Sequence, residues 1–355
     1  MWLMTRIFLL VGFLAALIIG CDACACTTTT HTPVLVHQFP NGTWAENIIG
    51  LANGSVYTTL FNTPELILLD PIQSNPDPIT AANIATKTGL LGVAQPRNDI
   101  ITVIAGSFTS TAPSTTSAIN GSYAILVFTI DVETPSIPPV LRAKYPIPQA
   151  GFLDGLTALP LDPHHVLAGD SLKGVIWRIN IDTGAVDCPI SDPLLKQVSG
   201  SSTPGVNGLH ASPTDPYLYF TNSAMAIFGR VLISSSGSQL ASAETVVAAS
   251  GDNAYDDFAI SPDGHWAFLC NTPPDAISLV DIWSTAFPTT ATIVAGGNGD
   301  TNFDHPVGAT FGRGPEHSQL FISTAGAIEG LGGKTGGQVF KIDVKDLLGE
   351  TSCRI

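Results

Sequence analysis

This chain of 355 residues is poor in charge, and what charge it has is of one sign. Charged residues make up 12% of it, with 14 basic side chains against 29 acidic ones for a formal net charge of −15. A surface of that sign repels phosphate backbones, so nucleic acid is excluded as a partner. Helical periodicity is missing after the first twenty residues, which excludes a helix bundle. No Gly-x-Ser-x-Gly elbow is present, so the many Ser, His and Asp residues carry no hydrolase-triad signature. Cysteines number six; Cys24 and Cys26 are too close for a zinc knuckle, and no His follows at ligand spacing. The segment from Gly326 to Thr335 contains Gly-Lys-Thr, but Ile328 stands where a phosphate loop needs glycine and a strand follows, so it reads as a hairpin loop.

What the chain has is apolar strand and turn. Hydrophobic residues are 45% of the total, with 34 glycines and 26 prolines. One phrase recurs about six times at intervals of roughly fifty residues: a strand opening on a polar residue, a turn, a second strand, and a third that ends near an acid. The first strands open near Asn47, Gly92, Asp154, Asn207, Asp257 and Val307. The third strands end near Asp70, Asp131, Asp182, Ile233, Asp281 and Asp343. Four short strands fill each interval, so the expected fold is all-β, a six-bladed β-propeller of four-stranded blades. An open last blade would leave unpaired edges. The strand pattern from Thr32 to Phe39 is therefore expected to close the ring beside Gln338–Ile342.

Residues 1–23 have the layout of a signal peptide, with Arg6 before an apolar run from Ile7 to Ile19 and small residues around Ala23. The run is too short to span a bilayer, so no stable membrane anchor is expected. Leu17 to Cys21 also resembles a bacterial lipoprotein site, but the sequons at Asn41, Asn53 and Asn120 favour a glycosylated protein of the secretory pathway. The mature chain, residues 24–355, is expected to be one propeller. It keeps five cysteines, an odd number, and the expected pairs are Cys24 or Cys26 with Cys353 and Cys188 with Cys270. The alternative for Cys188 and Cys270 is two reduced, buried thiols.

Four phrases at blade spacing carry a resemblance: Thr43-Trp44-Ala45-Glu46-Asn47-Ile48, Gly174 to Ile179, Tyr219 to Ser223 with Phe228 to Val231, and Asp256-Asp257-Phe258-Ala259. Together they resemble the secreted fungal six-bladed propellers related to gluconolactonase and senescence-marker proteins. The chain is most similar in character to the hetero-Diels-Alderases of tropolonic sesquiterpenoid and related meroterpenoid biosynthesis. That resemblance implies cycloaddition of a tropolone or phenol quinone methide with a cyclic terpene alkene, small-molecule terpenoid and polyketide substrates, and no cofactor. Such chemistry needs an apolar pocket with a few convergent hydrogen-bond donors rather than a nucleophile. Strand-entry residues should meet at one channel mouth, so Glu46, Asn207 and Asp257 are the expected catalytic set. Trp44, Asn47, Asp154, Tyr255, Phe258 and His305 are the expected substrate-binding set, with Asp256, Phe152, Phe303 and Thr310 nearby.

Two other readings remain at this stage. Relatives of the fold bind a divalent cation, and Glu46, Asn207 and Asp257 match by blade position, so a lactonase-like hydrolase using Ca²⁺ or Mg²⁺ is the first. Asn47 and Ile48 after Glu46, and Phe258 after Asp257, depart from the lactonase pattern. The second is a non-catalytic binding propeller whose Ser/Thr-rich loop from Ser107 to Asn120 makes the contact or is simply solvated.

Overall fold

The computed structural model describes residues 30–73, 76–110, 115–249, 254–297, 303–326 and 335–348. The described residues form six four-stranded antiparallel sheets and no α-helix, a six-bladed propeller. The inner strands are Ala45–Gly50, Gly89–Arg97, Leu153–Leu159, Val206–Ala211, Tyr255–Ile260 and Pro306–Phe311, for blades 1 to 6. Each inner strand neighbours the next, and that of blade 6 returns to blade 1, so the ring is closed. The closing strand is Val34–Gln38, which pairs antiparallel with Gln338–Asp343 as the outermost strand of blade 6. All six inner-strand openings and the closure agree with the repeat count.

Burial follows the radial position of each strand. The strand Ile100–Gly106 of blade 2 is buried throughout, whereas the outermost strand of the same blade, Val140–Pro146, is mostly exposed. The blades bury their faces against each other, as where Phe61 of blade 1 meets Phe108 and Phe152 edge to face at 5.0 and 6.2 Å.

Close approach at the hub depends on glycine. A Cβ on Gly155 would meet the carbonyl oxygen of Asn207 at 2.3 Å, and one on Gly208 would meet Asp257 Oδ1 at 2.4 Å. The Asp154-Gly155 and Asn207-Gly208 pairs of the sequence thus place a polar side chain beside a point where only glycine fits.

Every inner strand also slips register against its neighbour at these positions, between Ala45 and Ile48, Leu153 and Leu156, Val206 and Leu209, and Tyr255 and Phe258 in four of the blades. A bulge frees backbone groups from the ladder, and hydroxyls of the second strands take them up. Thr59 Oγ1 accepts from Asn47 N–H at 3.1 Å, Thr221 Oγ1 accepts from Gly208 N–H at 2.8 Å, and Ser323 Oγ donates to the Glu46 carbonyl at 2.5 Å.

The expected Cys188–Cys270 disulfide is not formed. Cys188 lies on the exposed outer strand of blade 3 and Cys270 is buried in the second strand of blade 5, and both are free thiols. Blade 4 stands between them, and a bridge needs Cα atoms within about 7 Å. Burial pushes both thiols above their usual range. Cys24, Cys26, Cys353, residues 1–23 and residues 327–334 lie outside the described residues. Asn41, Asn53 and Asn120 are exposed in or beside turns. Among the described residues no helix is long and apolar enough to cross a membrane.

Candidate active site at the entry mouth

Because all six inner strands run the same way along the channel, their first residues gather at one mouth and their last residues at the other. The entry mouth holds a cavity of about 250 Å³. Glu46, Asp154, Asn207 and Asp256, from blades 1, 3, 4 and 5, supply its polar lining, and Trp44, Phe61, Phe152 and Tyr255 supply aromatic wall.

Three carboxyl groups in a place this dry cannot all be charged. Glu46 and Asp154 are buried and Asp256 is partly buried. Burial first, then the neighbouring acids Asp256 and Asp154, drives the Glu46 carboxyl well above the usual range. Asp256 is raised well above it by burial and by Asp154 and Asp257. Asp154 is pushed up to about 7 by burial and by Asp257, against a weak hydrogen bond from Ser171 at 3.4 Å. Crowding and burial thus favour the protonated forms of these acids, which donate hydrogen bonds, and Asp154 exchanges its proton near neutral pH.

The amide of Asn207 is fixed by donation from its Nδ2 to Ser223 Oγ at 3.0 Å, and Ser223 in turn donates to the Tyr255 carbonyl at 2.8 Å. Two polar atoms of lining residues, Asp256 Oδ1 and Trp44 Nε1, are buried without a close hydrogen bond in the protein, and Trp44 lies near enough to Glu46 to favour its charged form. Buried polar groups are paired in the great majority of cases, so these two mark where a ligand's polar atoms would be satisfied.

The expected residues divide between three places. Glu46, Asn207, Asp154, Trp44 and Tyr255 come together at the entry mouth. Asp257 does not: the bulge turns it into the channel, where Oδ2 accepts from Asn47 Nδ2 at 2.8 Å and Oδ1 lies 3.0 Å from His210 Nε2. Its neighbour Asp256 takes the mouth position instead, and Asn47 is likewise spent on the channel interior. Phe258 is wholly buried between blades 4 and 5 against Phe228 and His210, so it is no part of the wall. His305 sits before the blade 6 inner strand with φ 53°. Its N–H donates to Asp275 Oδ1 at 3.3 Å, outside the cavity lining. Phe303 is core and Thr310 belongs to the opposite mouth.

Phe61, Ser223 and Thr272 also line the cavity and were not expected. Each directly follows a second strand, those ending at Leu60, Asn222 and Asn271, so the repeat itself carries the signal that finds them. The loop from Ser107 to Asn120 is more than solvated polar chain: Thr115 is buried, lines the cavity and donates its hydroxyl to the Ser202 carbonyl.

The cation-binding reading loses one of its three named ligands in this arrangement, Asp257, whose place at the mouth Asp256 takes. Among the described residues no three His, Cys, Asp or Glu side chains are placed to hold one metal ion. Asp257, one of the three ligands that reading requires, is committed to Asn47 and His210.

No family model matches the chain. Two curated proteins do: one from a Phoma species, 26% identical over 278 residues covering 70% of this chain and 77% of its own length, and one from Sarocladium schorii, 25% identical over 316 residues covering 82% and 77%. Both carry the name hetero-Diels-Alderase. Among solved structures the fold is similar to a luciferin-regenerating enzyme, with TM-score 0.60 at 13% identity over 87% of this chain and 95% of the other. It is similar also to a calcium-binding protein, regucalcin, from Agrobacterium tumefaciens, with TM-score 0.59 at 13% identity over 89% and 95%. The chain is thus a six-bladed propeller of the gluconolactonase and regucalcin-like architecture whose distant sequence relatives are named as cyclases of the hetero-Diels-Alderase kind.

Proposed function

We propose that the chain is a hetero-Diels-Alderase of fungal secondary metabolism, joining a tropolone or phenol quinone methide to the alkene of a cyclic terpene at the entry mouth. The observation that carries this reading is the meeting of three crowded acids, Glu46, Asp154 and Asp256, with Asn207 inside an aromatic wall. In the cycloaddition the heterodiene oxygen and its terminal carbon each form one bond to the alkene carbons while the π electrons of both partners shift. Nothing leaves and no net proton moves. The protein's tasks are to hold the partners together and to stabilise charge that grows on the heterodiene oxygen.

Glu46, Asp154 and Asp256 supply O–H donors and Asn207 an N–H donor for that oxygen. Donation lowers the energy of the accepting orbital of the heterodiene and speeds attack by the electron-rich alkene. Trp44, Phe61, Phe152 and Tyr255 supply the apolar surface against which the terpene is turned to one face. Holding two reactants in a near-attack arrangement is worth up to roughly 7–11 kcal/mol in the best intramolecular cases. Asp257 acts behind the mouth, holding Asn47 and the inner strand of blade 1 in place.

The test is incubation of the mature protein with humulene and a hydroxymethyl tropolone, which gives the quinone methide by losing one water, with product and stereoisomer ratio read by chiral chromatography. The expected outcome is accelerated formation of one stereoisomer, retained after exhaustive chelation with EDTA. A product ratio equal to that without protein overturns the reading. Activity lost to EDTA and regained with Ca²⁺ moves the assignment to a metal-dependent enzyme.

A further inference from the structure

The opposite mouth carries a second site of different chemistry. The last residues of the inner strands frame a cavity of about 470 Å³, with His210, Thr310, Arg313 and His317 in its lining and no Asp or Glu. In a chain of 29 acidic and 14 basic residues that is a local reversal of sign.

Arg313 reaches across this mouth, where its Nη1 donates to Gln95 Oε1 of blade 2 at 2.5 Å. Arg97, Arg178 and Arg230 each pair with a carboxylate, but among the described residues Arg313 has no such partner. With Nη1 on Gln95, its Nη2 and Nε remain to meet a planar anion, which guanidinium binds in two-point fashion. His210 stands at the floor, held by Asp257.

A second cavity of about 330 Å³ continues from the first, sharing Ala211 and Pro213. It is a trough between blades 3 and 4, walled by Leu159, Leu161, Tyr217 and Ile233. Leu161 is 80% exposed, an unusual setting for a large aliphatic side chain beside other apolar groups. The one acid of the trough, Asp215, already accepts from Tyr217 N–H at 3.1 Å and from the Tyr219 hydroxyl at 3.3 Å. It therefore adds no unsatisfied charge to the trough.

We propose that the exit mouth and this trough together bind an amphipathic carboxylate, a molecule with one carboxylate head and an apolar chain. The head sits on Arg313 and the chain lies along Leu159, Leu161 and Ile233. Charge complementarity selects the head, and the continuity of the two cavities selects a chain attached to it over a small polar acid. The site is separate from the entry mouth, and the proposal does not depend on the cycloaddition reading.

The test uses the full chain, titrated by calorimetry with dodecanoate and with dodecanol. Dodecanoate is expected to bind saturably and dodecanol about tenfold more weakly, the scale of one charge-assisted hydrogen-bond pair. Arg313→Gln should bring dodecanoate to the level of the alcohol, and Leu161→Ser should weaken both. Arg313 and Leu161 are exposed, so the variants should fold; Arg313→Lys, which keeps the charge and loses the fork, gives an intermediate affinity and serves if Arg313→Gln does not. Absence of saturable binding, equal affinity for acid and alcohol, or an unchanged Arg313→Gln overturns the proposal. Binding abolished by Asp256→Asn and not by Arg313→Gln would place the acid at the entry mouth and overturn it as well.

Discussion

Asn47 Nδ2 donates to Asp257 Oδ2 at 2.8 Å, joining the inner strands of blades 1 and 5 across the channel. The pair lies behind the entry mouth, and its second oxygen carries the link on to His210 at 3.0 Å. One buried carboxylate thereby ties three blades. Asp257→Ala leaves the Asn47 amide without its acceptor and should lower stability by about 1–3 kcal/mol, the cost of a stranded buried polar group. Chemical denaturation measures this. If the channel role is right, the folded variant keeps its product stereochemistry.

The raised Asp154 carboxyl makes stability and activity depend on pH in a defined direction. Folded, Asp154 keeps its proton up to about pH 7; unfolded, it loses it near pH 4. The folded state binds the extra proton across that interval, so its stabilising contribution is complete below about pH 4 and is lost as pH rises towards 7. The loss is on the order of 2–4 kcal/mol before any relaxation of the site. Asp154→Asn should flatten the stability profile between those limits, read by denaturation midpoints at a series of pH values. Cycloaddition should slow as pH rises through about 7, where the folded protein loses this donor, and a rate that climbs as Asp154 deprotonates would show that it acts as a base.

Donors at the entry mouth should matter through the transition state. Asn207→Ala is expected to reduce kcat with little change in KM, by up to about a hundredfold if its amide meets the developing charge directly. Asp256→Asn keeps an N–H donor and should be milder than Asp256→Ala. Equal rates in all three variants would remove these residues from the reaction.

The two thiols should behave as separate, reduced cysteines. Non-reducing peptide mapping should recover Cys188 and Cys270 unlinked. In the native protein a thiol reagent should reach exposed Cys188 slowly and leave buried Cys270 intact until unfolding.

If the aromatic wall orients the terpene as proposed, removing one of its rings should change the product. Phe152→Ala removes a buried ring that packs 6.2 Å from Phe61, so it should cost about 3–5 kcal/mol of stability and loosen stereoselectivity. The stereoisomer ratio at a temperature where the variant stays folded separates the two effects. A stable variant with parental selectivity would show that the terpene is oriented elsewhere.

The sequence by itself determined the six blades, their inner strands and the closing strand, because each blade must bury the same pattern of short apolar strands and the last edge must be paired. It also pointed to Glu46, Asp154 and Asn207 through their shared place at strand entries. Only the tertiary structure decided between Asp256 and Asp257. In a regular strand two successive residues face opposite sides. At the hub the slip between Tyr255 and Phe258 breaks that alternation, so Asp256 lines the mouth while Asp257 faces Asn47 and His210 inside the channel. The same holds for Glu46 and Asn47 where the register slips between Ala45 and Ile48. Whether Cys188 and Cys270 could meet was equally a question of distance around the ring, which no spacing along the chain encodes. The exit-mouth chemistry, finally, arises because Gln95, His210 and Arg313 come from three separate blade ends that only ring closure brings together.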